Sequence, residues 1–142
     1  MSVEILVSDN FRREAKKYLK KFRTLKDELE VFRASLLENP RQGDKITEGV
    51  YKVRLASKSK GKGKSGGFRI INYLLEVEKD GNGDIHTTVI LLSIYDKSET
   101  SSLAENQIVR LIQDFEKDIE NREPSDEEGK KAVEDAKIDP IE

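Results

Sequence analysis

The chain is predicted to be an α+β domain, with an N-terminal strand and a helical hairpin packed on a mostly antiparallel sheet of about four strands, and a C-terminal helix. Three observations carry this. Apolar residues recur at helical spacing in two stretches before Pro40 and in one after Ser102. Three strand-like runs lie between them. The last two runs are joined by Asp80-Gly-Asn-Gly-Asp84, a strong hairpin signal. The order β-αα-βββ-α fits helices packed on an antiparallel sheet.

The elements follow in order. Val3 to Val7 is a short strand. Asp9 can cap a helix running to about Phe22, with Phe11, Ala15, Tyr18, Leu19 and Phe22 on its apolar face. Its other face carries Arg12, Arg13, Lys16, Lys17, Lys20 and Lys21, which reads first as a solvated surface. Thr24 with Asp27 can start a second helix, whose stripe is Leu25, Leu29, Phe32 and Leu36. Asn39-Pro40 ends it, and the turn between the helices is short enough for an antiparallel hairpin. Pro40 to Gly49 reads as a loop. The strands are Val50–Leu55, Phe68–Val77 and His86–Ile94, apolar enough for a sheet covered on much of both faces. Ser102-x-x-Glu105 is a capping box opening a helix with Leu103, Ile108, Leu111, Ile112, Phe115 and Ile119 inward. Residues 1–120 are expected to form the domain. Residues 121–142, acidic and without periodicity, are expected to be a disordered tail.

Charge is distributed unevenly. The net charge is −2, but residues 1–75 carry +9, residues 76–120 carry −7 and residues 121–142 carry −4. Between Glu48 and Glu76 there is no acid, while Lys52, Arg54, Lys58, Lys60, Lys62, Lys64 and Arg69 fall in the gap. Such density repels itself and suits an anionic partner. Alternation along the first of these strands sends Tyr51, Val53 and Leu55 one way and Lys52 and Arg54 the other.

Several chemistries fall away. The chain has no cysteine, which removes disulfides and thiolate metal sites. Gly61-Lys-Gly-Lys-Ser-Gly is not a phosphate loop, because position 58 is Lys58 and a strand follows instead of a helix. Asp80, Asn82 and Asp84 imitate the start of a calcium loop, but Ile85 and Leu91 stand where glycine and glutamate are needed. His86 is the single histidine, expected at the surface, so His-pair metal sites and a His-pair acid–base mechanism are excluded. A Ser-His-Asp arrangement is a poor candidate as well. No metal or cofactor is expected. The N-terminus shows no signal-peptide pattern, and the longest strictly aliphatic run, Val89–Leu92, is far too short for a bilayer. A cytoplasmic protein without membrane contact is expected.

What survives is a cation cluster of Lys52, Arg54, Lys64, Arg69 and Lys97, set on and between adjacent strands. Gly61, Gly63, Gly66 and Gly67 allow backbone to approach a phosphate closely. Such a cluster has what RNA cleavage needs. It can orient a 2′-hydroxyl, stabilise charge on phosphorus and, through a lysine of lowered pKa, help move protons.

The stretches Leu36-Leu37-Glu-Asn-Pro40, Gly49-Val-Tyr-Lys-Val-Arg-Leu55, Gly61-Lys-Gly-Lys-Ser-Gly-Gly-Phe-Arg69 and Leu92-Ser-Ile-Tyr-Asp-Lys-Ser98 resemble the RelE/ParE superfamily of toxins from bacterial toxin–antitoxin pairs. The resemblance is nearest to HigB-type mRNA interferases and covers Phe11 to Ile119. It implies a RelE-like fold and a ribosome-dependent endoribonuclease that cuts mRNA and is inhibited by a cognate antitoxin of helix-turn-helix type. It also implies catalytic roles for Lys52, Arg54, Arg69 and Lys97. Lys58, Lys60, Lys62, Lys64 and Ser65 are expected to grip RNA or ribosome. One branch of the family stacks a tyrosine on the substrate base near its last helix; Ser101-Ser102-Leu103 offers none. Two alternatives stand beside this: a gyrase-poisoning toxin of the ParE branch, and a catalytically inactive RNA-binding relative.

Overall fold

A computed structural model describes residues 2–60, 67–79, 81 and 83–122. The α+β class holds, and the sheet has five strands instead of four, in mixed orientation. In chain order the elements are β1 (Ser2–Val7), α1 (Asp9–Leu19), α2 (Leu25–Glu38), β2 (Asp44–Thr47), β3 (Val50–Leu55), β4 (Phe68–Lys79), β5 (Asp84–Asp96) and α3 (Glu105–Arg122). The strands lie in the order β1-β5-β4-β3-β2. β1 runs parallel to β5, and the other three pairings are antiparallel. The added strand β2 falls in the stretch expected to be a loop. Three of its four residues are exposed and the fourth is half-buried, so no buried face imprinted an alternation on its sequence.

Both faces of the sheet are covered, as expected. On one face Phe11, Ala15, Leu25, Leu29, Phe32 and Leu36 of the hairpin pack on Val53, Phe68, Ile70, Leu91 and Ile94. On the other, Ile108 and Phe115 of α3 pack on Leu6, Ile71, Ile90, Leu92 and Tyr95. No helix among the described residues is long and apolar enough to cross a membrane.

Two helix starts differ from the sequence reading, while α2 begins after Thr24 as expected but without the side-chain cap. Ser8, not Asp9, caps α1, its Oγ accepting from Phe11 N–H at 3.0 Å. The Thr24 hydroxyl instead donates to Glu28 at 3.1 Å and bonds Ser59 at 2.6 Å. At α3 the backward bond comes from Gln107, whose Oε1 accepts from Ala104 N–H at 2.8 Å, so Ser102 lies outside the helix.

β1 ends opposite Leu91, leaving the rest of β5 with an open edge. Side chains of α1 take over the pairing. Asn10 Nδ2 donates to Leu92 O at 2.9 Å, Glu14 Oε1 accepts from Ile94 N–H at 3.3 Å, and Tyr18 Oη accepts from Asp96 N–H at 3.2 Å. Four helical residues rise about 6 Å and two strand residues about 6.6 Å. Positions 10, 14 and 18 therefore keep step with 92, 94 and 96.

Candidate nucleic-acid interface

The site is set by strand register. Arg54 of β3 lies directly opposite Arg69 of β4, which lies opposite Tyr95 of β5; one row along, Lys52 faces Ile71, and Ile71 faces Ser93. Directly opposed residues project from the same face of a sheet. Lys52, Arg54, Arg69 and Tyr95 therefore share the α3 face. Val53, with Tyr51 and Leu55 packed beside it, anchors β3 on the hairpin face. Between the Ile71–Ser93 and Asn72–Leu91 pairs the register shifts, and Leu92 is the extra residue that bulges β5 just beyond this row.

The row is graded in depth. Arg54 is exposed, Lys52 half-buried, Arg69 only 5% exposed, and Tyr95 buried. Arg69 Nη1 donates to Phe68 O at 3.2 Å, which turns part of the guanidinium back onto its own strand. Burial raises the Tyr95 phenol while the neighbouring Arg69 charge pulls it down. The Tyr95 hydroxyl finds no hydrogen-bond partner among the described residues. Two arginines directly opposed across a strand pair repel each other, a cost an anion between them would offset.

Lys97 joins the row's end. Its N–H donates to Gly67 O at 3.1 Å, and its Nζ reaches Ser101 O at 3.5 Å. Arg54, Arg69 and Lys97 thus gather where β3 ends, β4 begins and β5 ends. Lys52 stands two residues before Arg54. Lys52 and Arg54 also border an open cleft of about 470 Å³ with Gln42, Gly43 and Asp44.

The residues expected to grip RNA divide. Lys62, Lys64 and Ser65 lie outside the described residues. Lys58 is exposed, and its N–H donates to Glu28 Oε2 at 2.8 Å. Lys60 is turned inward. Its ammonium pairs with Asp96, both side chains almost wholly enclosed at 8% and 4% exposure, and sits 5.3 Å from the ring centres of Phe22 and Phe68. Burial alone would raise the Asp96 carboxyl. Lys60 and the N–H and hydroxyl of Ser98 outweigh that and hold it below the ordinary value.

This pair escaped the sequence reading, which grouped Lys60 with the loop lysines. The spacing Asp96-x-Ser98 was the available signal, since an aspartate commonly caps the turn two residues on. Nothing in the sequence joined Asp96 to Lys60. Together with Ser59, whose Oγ accepts from Thr24 N–H at 2.8 Å, the pair fixes one end of the basic loop. Gly67 fixes the other, packed so closely on Leu55 that a Cβ there would lie 2.2 Å from Leu55 O.

Glu14 was also missed. Beyond Ile94 N–H, its Oε1 accepts from Ser93 Oγ and Asn10 Nδ2, each at 2.8 Å. Burial raises its pKa above the ordinary value against those bonds. It lies at the α1 edge of β5, away from β3, and serves the strand edge. Among the described residues no group of three or more His, Asp or Glu side chains gathers as a metal site.

No protein-family model matches this chain, and no solved structure matches it. The functional reading therefore stands on the arrangement of cations and on the motifs that carry the sequence resemblance.

Proposed function

We propose that this chain is a cytoplasmic endoribonuclease toxin that cuts mRNA on the ribosome and is held silent by a cognate antitoxin, which the sequence resemblance suggests is of helix-turn-helix type. The observation that carries the reading is the Arg54–Arg69 register pair, flanked by Lys52 and Lys97. The graded burial of the pair suits a phosphate seated between strands, with Arg54 reaching outward and Arg69 fixed below.

In the proposed reaction the 2′-hydroxyl of one nucleotide attacks the adjoining phosphorus and loses its proton. The bond from phosphorus to the next nucleotide's 5′-oxygen breaks, and that oxygen gains a proton. A 2′,3′-cyclic phosphate and a 5′-hydroxyl result. Arg54 and Arg69 stabilise the charge that builds on the phosphoryl oxygens. Lys52 and Lys97 stand near enough to the row to take part in proton movement or phosphate binding. The basic loop, tied at Lys60 and Gly67, grips backbone.

A second reading, an RNA-binding relative without catalysis, is favoured by one observation: Arg69 is nearly enclosed and half-committed to Phe68 O. Induced expression in a bacterium lacking the antitoxin separates the two. Growth arrest relieved by Arg54→Ala supports the toxin. Soluble accumulation without arrest removes it. The gyrase-poisoning alternative is tested by supercoiling with purified gyrase, which the toxin proposed here should leave unchanged.

A further inference from the structure

The outer edge of β3 is only half covered. β2 pairs with Val50, Tyr51 and Lys52, and no described strand continues the pairing to Val53, Arg54 and Leu55. The carbonyl of Lys52 faces the β2 side, where a Cβ on Gly43 would lie 2.3 Å from it. Two residues on, the N–H and C=O of Arg54 turn to the same outer side, by the alternation of the strand. Alongside that edge, on the hairpin face, runs a groove of about 540 Å³ between α2 and β3. Val31, Phe32, Val53, Leu55 and Ala56 supply its apolar lining. Val31 is 70% exposed.

We infer that this edge and groove form a docking site for an extended peptide of a partner protein, one that alternates apolar and acidic residues. A strand added beside Arg54 would send successive side chains to opposite faces of the sheet. On the hairpin face they meet the groove. Asp27, Glu28, Arg54 and Lys58 also line it and balance in charge, so the apolar floor decides, and an apolar side chain seated there leaves water. On the other face they meet Lys52 and Arg54, which attract a carboxylate. The two faces therefore select opposite chemistries at alternate positions. Main-chain bonds to Arg54 supply the register, and side chains supply the choice of sequence. A peptide seated so would cover Arg54 and compete with a phosphate for it.

The test uses the full chain and two blocked hexapeptides of identical composition. One alternates valine and glutamate; the other carries the valines and glutamates in separate blocks. The alternating peptide is expected to slow hydrogen exchange at the Arg54 amide and to bind about tenfold more tightly than the block peptide. Val31→Glu and Arg54→Glu are each expected to weaken it about tenfold. Val31→Glu, at an exposed helix position, leaves RNA cleavage in place, so loss of docking and loss of nuclease function are separately readable. Equal affinity for the two peptides overturns the inference, as does indifference to Val31→Glu. An Arg54 amide already protected in the free chain also overturns it, because the edge would then be covered by the chain itself.

Discussion

Arg54 and Arg69 are direct register partners, two guanidinium side chains on one face of an antiparallel strand pair. Like charges so placed cost roughly 0.2–1 kcal/mol relative to a neutral pair. Arg54→Gln is therefore expected to stabilise the fold by about that amount while weakening RNA binding. Urea denaturation and an RNA titration on the same preparation check both. A variant that loses stability and keeps RNA affinity contradicts the functional role of the pair.

The enclosed Lys60–Asp96 pair has the opposite character. Removing one partner of a buried ion pair strands the other charge, at about 3–5 kcal/mol. Asp96→Asn is expected to fall in or just below that range, since Ser98 still finds an acceptor. The double variant Lys60→Met with Asp96→Asn is expected to be less destabilised than the two single losses added together. A four-member double-mutant cycle in urea measures the coupling.

The same carboxylate sets an acid dependence. Its folded pKa lies below its ordinary value of 3.8, so its contribution is present above that value and is lost as pH falls through the lowered one. Glu14 works the other way. Its pKa is raised from 4.5, chiefly by burial. Its contribution is present below 4.5 and lost as pH rises through the raised value. Glu14→Gln is thus expected to lose more stability, relative to the parent, at pH 4.5 than at pH 7. Unfolding midpoints of both proteins at the two pH values give the sign.

Gly67 has no room for a side chain. A Cβ would lie 2.2 Å from Leu55 O and 3.2 Å from Ala56 Cα, both backbone. Gly67→Ala must shift β4 against β3, at about 1–3 kcal/mol. Gly81 is a useful contrast. Its φ of 66° disfavours alanine, but no atom lies within 4 Å of the added Cβ, so Gly81→Ala should cost about 1–2 kcal/mol through the backbone alone. Only the Gly67 variant is expected also to weaken RNA binding, because it moves the loop's anchor.

What the sequence disclosed follows physical cause. β3 was legible to the residue because Val53 must be buried while Lys52 and Arg54 meet solvent. The helix stripes were legible because Phe11, Leu25, Leu29, Leu36 and Ile108 are enclosed. β2 was hidden because it buries no face. The N-cap of α1 was displaced by one residue because Ser8 and Asp9 are both good caps, and only the geometry of β1 decides between them. The convergence of Lys52, Arg54 and Arg69 could be expected from adjacent strands. The burial of Arg69 and the inward turn of Lys60 could not, since each depends on partners distant in sequence.

The role assigned to Arg54 and Arg69 rests on RNA cleavage, and mapping the ends of ribosome-bound mRNA tests it. Purified chain added to translating ribosomes is expected to produce new fragments ending in 2′,3′-cyclic phosphate, and Arg54→Ala to abolish them without unfolding the protein. Fragments that persist unchanged with Arg54→Ala, or no fragments from the parent chain while it still binds RNA, would contradict that role.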